Sequence, residues 1–221
     1  MPRPLDRLLA EICACRVCLT CPSGPPLPHT PRPVVHASAT ARILVVGQAP
    51  GTRVHRSGLP FDDASGDRLR AWMDVTREEF YDTARIAFAP MGFCFPGLDA
   101  KGGDRPPRKE CAPLWRARLM AELTAVDLVL LVGGHAQRWH LGTAASVSLT
   151  QTVRAGAQRI AQPAGALAIP LPHPSWRNTG WLKANPWFEQ DVVPDLRRHV
   201  RRRLGDHGEG GTLPKVNRSQ E

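Results

Sequence analysis

Arg42-Ile-Leu-Val-Val-Gly47 runs straight on into Gln48-Ala-Pro-Gly51, and the reading of this stretch decides the fold class. A short unbroken apolar run closed by glycine is the pattern of a strand buried on both faces, as in a parallel sheet covered by helices. Downstream, Ser65 to Val75 reads as a helix with Leu69, Trp72 and Met73 on one face and Ser65 as its cap. Ala84-Arg-Ile-Ala-Phe-Ala89 is a second strand candidate, followed by a Gly/Pro-laden loop through Pro107 and a helix over Glu110 to Leu123. Asp127-Leu-Val-Leu-Leu-Val132, closed by Gly133-Gly134, is a third strand, with a helix from His135 to Leu141. Leu167-Ala-Ile-Pro-Leu171 is the fourth, and Pro170 points to an edge or a strand end. A last helix is expected from Pro186 to Leu204, kinked or broken at Pro194.

Upstream, residues 4–12 read as a short amphipathic helix and Pro22 to Pro33 as a surface loop. Strands alternating with helices predict a single three-layer α/β/α domain around a central four-stranded, mostly parallel sheet. The expected division is an N-terminal helix and cysteine-rich segment over 1–40, the α/β domain over 41–204, and a disordered polar tail over 205–221. In such sheets ligands bind beyond the carboxyl ends of the strands. Two loops therefore carry the functional argument: Gly47 to Gly51, and Pro172-His-Pro-Ser175.

The chain has 221 residues and a net charge of +9, compatible with a polyanionic partner such as nucleic acid. The signal is diluted by composition, because the basic residues are overwhelmingly Arg in a chain rich in Ala and Pro, as GC-rich coding gives whatever the function. Arg197-Arg-His-Val-Arg-Arg-Arg203 reads equally as an electrostatic footprint or a solvated helix face. No apolar run approaches the roughly 18 residues of a membrane span. Met1-Pro-Arg-Pro-Leu-Asp6 lacks the apolar stretch of a secretory signal, which places the expected location in the cytoplasm. Of six cysteines, four crowd into Cys13-Ala-Cys-Arg-Val-Cys-Leu-Thr-Cys21. In a reducing compartment that clustering suggests a metal or iron–sulfur site before a disulfide scaffold.

Gly47-Gln-Ala-Pro-Gly51 can aim backbone N–H groups and an amide into a pocket, although an ordinary strand-to-loop turn reads the same way. Phe61, fixed behind Pro60, offers a rigid face on which a planar base can stack; core packing is the plain alternative. His173 sits between Pro172 and Pro174, where neither helix nor ladder is natural, so a rigid polar loop is expected at a strand end.

In their order and spacing, Gly47-Gln-Ala-Pro-Gly51, Gly58-Leu-Pro-Phe61 and His173-Pro-Ser175 resemble the two signature motifs and stacking Phe of the uracil-DNA glycosylase superfamily. The nearest resemblance is to the iron–sulfur family 4 type, over roughly residues 10–204. Cys15-Arg-Val-Cys18 with the distant pair Cys94 and Cys111 is similar to the ligand set of its [4Fe–4S] cluster; thiolates in two pairs also suit zinc. Cys13 and Cys21 stand by as substitutes. His173-Pro-Ser-Trp-Arg-Asn178 is closer to the single-strand-selective type.

The resemblance implies a DNA glycosylase, initiating base excision repair, that flips uracil or another deaminated base from DNA and hydrolyses its N-glycosidic bond. His173 and Gln48 would be catalytic. Gly47, Ala49, Pro50, Gly51, Phe61 and Asn178 would bind the base, and Pro174, Ser175 and Arg177 the DNA. A monomer is expected. Two departures stand out: Gln48 replaces the usual carboxylate, and Ala89-Pro-Met-Gly92 replaces a Thr-Asn whose Asn reads the uracil edge. Asp62 and Asp63, directly after Phe61, are substitute water activators. The departures leave open a DNA-binding module without catalysis, acting on damaged, abasic or single-stranded DNA, and more remotely a hydrolase of free nucleosides.

Overall fold

The computed structural model describes residues 3–142, 146–161 and 165–205. The tail expected beyond Gly205 lies outside the described residues. Five strands form one sheet: β1 (Ile43–Val46), β2 (Ile86–Phe88), β3 (Leu128–Val132), β4 (Gln158–Arg159) and β5 (Leu167–Leu171). Their order is β2-β1-β3-β5-β4, parallel throughout except for β4, which pairs antiparallel with Ala168 and Leu167. The expected four strands are thus all present, and a two-residue edge strand joins them. A pair of residues, Gln158 and Arg159, carries too little pattern to be seen as a strand beforehand.

The helices are α1 (Pro4–Ala14), α2 (Val17–Thr20), α3 (Thr52–Ser57), α4 (Ala64–Met73), α5 (Arg77–Tyr81), α6 (Cys111–Glu122), α7 (Gly134–Leu141), α8 (Leu149–Arg154), α9 (Thr179–Ala184) and α10 (Val193–Leu204). A π-helical turn over Phe188–Val192 runs without a break into α10, with helical backbone at Val192 and Val193, so the π-turn lies directly before Pro194, whose missing N–H interrupts a regular α ladder. Among the described residues no helix is long and apolar enough to cross a membrane.

Side chains of successive strand residues point to opposite faces, and here both faces are buried. Leu44 and Val46 of β1, with Val129 and Leu131 of β3, pack against Leu5, Leu8 and Ile12 of α1 and Trp115, Leu119 and Leu123 near α6. Ile43, Val45, Leu128, Leu130 and Val132 pack on the other side against Leu69, Trp72 and Met73 of α4 and Leu196 and Val200 of α10. Two apolar cores therefore clamp one sheet, which explains the unbroken hydrophobic strand runs. Truncating a residue such as Leu119, which is fully buried, to Ala costs about 2–5 kcal/mol.

Pro170 sits where its missing donor is tolerated. Leu167 donates to Asp127 and Leu171 accepts from Gly133, so these residues face β3 and the intervening Pro170 faces the β4 side. There β4 ends opposite Ala168, and the ladder stays complete without a Pro170 donor.

The basic run in α10 resolves into internal contacts. Arg198 pairs with Asp195 at 2.6 Å, Arg201 with Glu79 at 2.8 Å, and Arg203 with Asp127 at 2.6 Å, while Arg197 donates to the Ala71 carbonyl at 2.9 Å. Asp127 precedes β3, so Arg203 lies at the amino ends of the strands, away from the loops that follow their carboxyl ends.

Candidate active site

One cleft of about 580 Å³ opens at the carboxyl ends of the parallel strands, within the roughly 300–1,000 Å³ that small-ligand pockets occupy. Gly47 to Gly51, Phe61 and His173 to Ser175, with Arg177 and Asn178, all line it. The two motif loops lie far apart in the chain, yet β1 and β5, parallel strands flanking β3, carry both to the same edge of the sheet. Every residue expected to touch base or DNA is thereby brought to this one place.

Phe61 shapes the floor. Its ring lies over Gly47, where an added Cβ would come within 3.1 Å of the ring edge, and it is braced by Phe80 and Phe88 at centroid distances of 6.4 and 6.3 Å. Its backbone has φ +52°, a left-handed conformation unusual for an aromatic residue. Tyr81 holds the turn by donating its hydroxyl to the Pro60 carbonyl at 3.0 Å. Gly66 makes the turn feasible: a Cβ there would stand 1.7 Å from the Phe61 carbonyl oxygen. The cap of α4 is Asp63 rather than Ser65, since Asp63 Oδ1 accepts from Gly66 N at 3.1 Å.

The second loop is held from within and from across the cleft. Ser175 N donates to His173 Nδ1 at 3.2 Å, and Asn178 Nδ2 donates to the His173 carbonyl at 2.7 Å. Arg68, from α4, donates to the Pro174 and Ser175 carbonyls at 3.2 Å each. Asn178 thus braces the loop as well as lining the cleft. Burial pushes the His173 imidazole below its usual range, with the Asp63 carboxylate opposing that shift. With Nδ1 accepting, the neutral ring carries its proton on Nε2.

Gln48 lines the cleft and is also anchored across it. Its Nε2 donates to the Arg105 carbonyl at 3.2 Å, tying the loop after β2 to the first motif. The carbonyl can only accept, which fixes the amide nitrogen toward it and leaves Oε1 for other work. Backbone bonds from Met91 N to the Gly47 carbonyl and Gly92 N to the Gln48 carbonyl, both 2.9 Å, zip the same loop down. Pro90 stands in the wall. Arg116, 2% exposed, donates to the Ala89 carbonyl at 2.9 Å and to the Pro90 carbonyl, fixing that wall from behind.

Of the two aspartates after Phe61, Asp63 lines the cleft, whereas Asp62 turns to Arg77 at 3.3 Å. Asp104, which was not expected from the sequence, also reaches the mouth, with Oδ2 3.3 Å from where a Gly51 Cβ would stand. Partial desolvation raises its pKa, Arg177 opposes this, and the carboxylates Asp63 and Asp99 add to it. No local pattern marks Asp104; only the fold of the loop over Gly51 brings it there.

The expected cysteines also converge. Cys15, Cys18, Cys94 and Cys111 line one small cavity between α1, α2 and the start of α6. Phe93 N donates to Cys111 Sγ at 3.3 Å. Burial and the neighbouring cysteines push Cys94 up to about 12, and burial first pushes Cys111 up to about 11. Cys13 and Cys21 are exposed and do not line the cavity. Among the described residues no three of His, Cys, Asp or Glu gather closely enough to hold a single metal ion.

The model of the Uracil DNA glycosylase superfamily matches residues 34–197, from before β1 into α10. The chain belongs to this superfamily. The matched span takes in both motif loops, Phe61 and the parallel strands β1, β2, β3 and β5. DNA glycosylase chemistry is the general activity of the superfamily.

Proposed function

We propose that the protein excises uracil or another deaminated base from DNA, with His173 as the group that stabilises the departing base. The carrying observation is the Ser175 N to His173 Nδ1 bond, which leaves Nε2–H as the free donor of a cleft-lining imidazole. Heterolysis of the glycosidic bond leaves oxocarbenium character on the sugar and negative charge on the base. Nε2–H donates to base O2 as that charge grows, a contribution typically worth about 2.7–4 kcal/mol of barrier.

Phe61 stacks on the flipped base and helps offset the few kcal/mol of unstacking. Backbone N–H groups of Gly47 to Gly51 add donors, and Gln48 Oε1 accepts from the attacking water. Asp63 Oδ2, which has no hydrogen-bond partner among the described residues, takes the proton as water oxygen bonds to the sugar C1′. The products are the free base and an abasic site. Pro174, Ser175 and Arg177 face the DNA backbone beside the cleft, as fits phosphate contacts.

Cys15, Cys18, Cys94 and Cys111 would hold a [4Fe–4S] cluster. What supports this is that the two distant cysteine pairs line one shared cavity. When bound, the cluster cross-links the N-terminal segment to the loop after β2; it takes no part in bond cleavage.

Incubation of the protein with oligonucleotides carrying one uracil, hypoxanthine or xanthine, followed by chromatography of the released base, tests the reading. Free base from at least one of them is expected. Stable binding without any base release would instead support a recognition module.

A further inference from the structure

A second groove runs beside the base cleft, behind the loop that follows β2. Arg105, Lys109, Arg138 and Trp139 line it, all exposed, with Trp139 at 47%. Segment 90–91 and segment 104–105 form a thin partition, since Pro90 and Asp104 face the cleft while Met91 and Arg105 face the groove. A smaller hollow bridges the two, walled by His173 and Asn178 on the cleft side and Arg138 on the groove side.

The groove's cations are left largely unneutralised. Several arginines elsewhere are spent on carboxylates, as Arg198 on Asp195, Arg118 on Glu11 and Arg203 on Asp127. Within the groove Arg108 is likewise spent on Glu110 at 2.8 Å. Among the described residues, Arg105, Lys109 and Arg138 form no ion pair: Asp99 acts on Arg105 only through longer-range attraction, and Arg138 meets His135 Nδ1 at 3.4 Å. Cations of this kind along a groove with an exposed indole match what a single strand needs: charge along its backbone and a face on which a base stacks.

We infer that this groove takes the single-stranded DNA flanking the flipped nucleotide, with Arg105, Lys109 and Arg138 on phosphates and Trp139 stacked on a base. The inference rests on the glycosylase reading for the strand that enters the cleft, but its test is binding, not chemistry. Fluorescence titration measures the affinity for a uracil-containing single strand across a salt series. The R105A/K109A/R138A variant should flatten the slope of log K against log salt by about 0.7 for each phosphate no longer neutralised. Trp139→Ala should weaken binding roughly tenfold. The control R198A/R202A removes two charges from α10 and should leave the slope unchanged. Shortening the strand on one side of the uracil should weaken wild-type binding and barely affect the triple variant.

An unchanged slope in the triple variant, or an equal loss in the control, overturns the inference. An excision assay on the wild type separates the two failures. Base release with an unchanged slope sinks the groove alone, whereas no base release with the predicted slope change sinks the glycosylase reading alone.

Discussion

The backbone N–H of Ser175 donates to His173 Nδ1 across 3.2 Å, so the protein's own backbone determines which imidazole nitrogen carries the proton. A neutral Nε2–H tautomer follows. Because burial lowers the His173 pKa, the ring stays neutral at and somewhat below the ordinary value near 6.5. Nitrogen-edited NMR of the imidazole should show the Nε2–H tautomer at pH 7 and a protonation midpoint below 6.5. A midpoint above that value would contradict the assignment.

Gly66 owes its identity to close approach, with the Phe61 carbonyl 1.7 Å from a would-be Cβ. Gly66→Ala should destabilise the fold by about 1–3 kcal/mol or more, as overpacking does. The shift would appear in the denaturation midpoint. Phe61 would be displaced with it, so uracil binding should weaken too.

Asp63 both caps α4 and lines the cleft, and two substitutions separate these roles. Asp63→Asn keeps a capping oxygen, so stability should change by only a few tenths of a kcal/mol, whereas Asp63→Ala should cost about 1 kcal/mol. Both should lower the single-turnover excision rate about 100-fold if the carboxylate accepts the water proton. A rate in the Asn variant equal to wild type would remove Asp63 from the chemistry.

The four cysteines of the cavity should behave as one set. Cys94→Ser or Cys111→Ser should abolish bound iron and sulfide in anaerobically prepared protein and lower its thermal midpoint. Cys13→Ser and Cys21→Ser, at exposed positions outside the cavity, should retain both. Iron and sulfide analysis of the four variants checks this, and iron-free wild-type protein from the same preparation would refute the cluster.

Much of this site was legible because its parts are local. Gly47 to Gly51 and Pro172 to Ser175 each follow a continuous apolar strand, and the strand-end rule points to both. The pairs Cys15/Cys18 and Cys94/Cys111 could be proposed from spacing and resemblance, and the fold brings them to one cavity. The parts that could not be read depend on distant contacts. Arg68 looks like any polar helix residue until Pro174 and Ser175 pack above it. Asp104 looks like a loop acid until its turn folds over Gly51, and Gln48 looks free until the Arg105 carbonyl engages it. The net charge was uninformative in bulk because it mixes ion-paired arginines of α10 with the groove's uncompensated cations.

The most direct test of the central claim is alkali-induced strand cleavage of single- and double-stranded oligonucleotides containing one uracil, with wild type and His173→Ala compared in single turnover. Cleavage by the wild type, reduced about 100- to 1,000-fold in the variant, is the predicted result. Equal cleavage by both proteins would contradict the role given to His173.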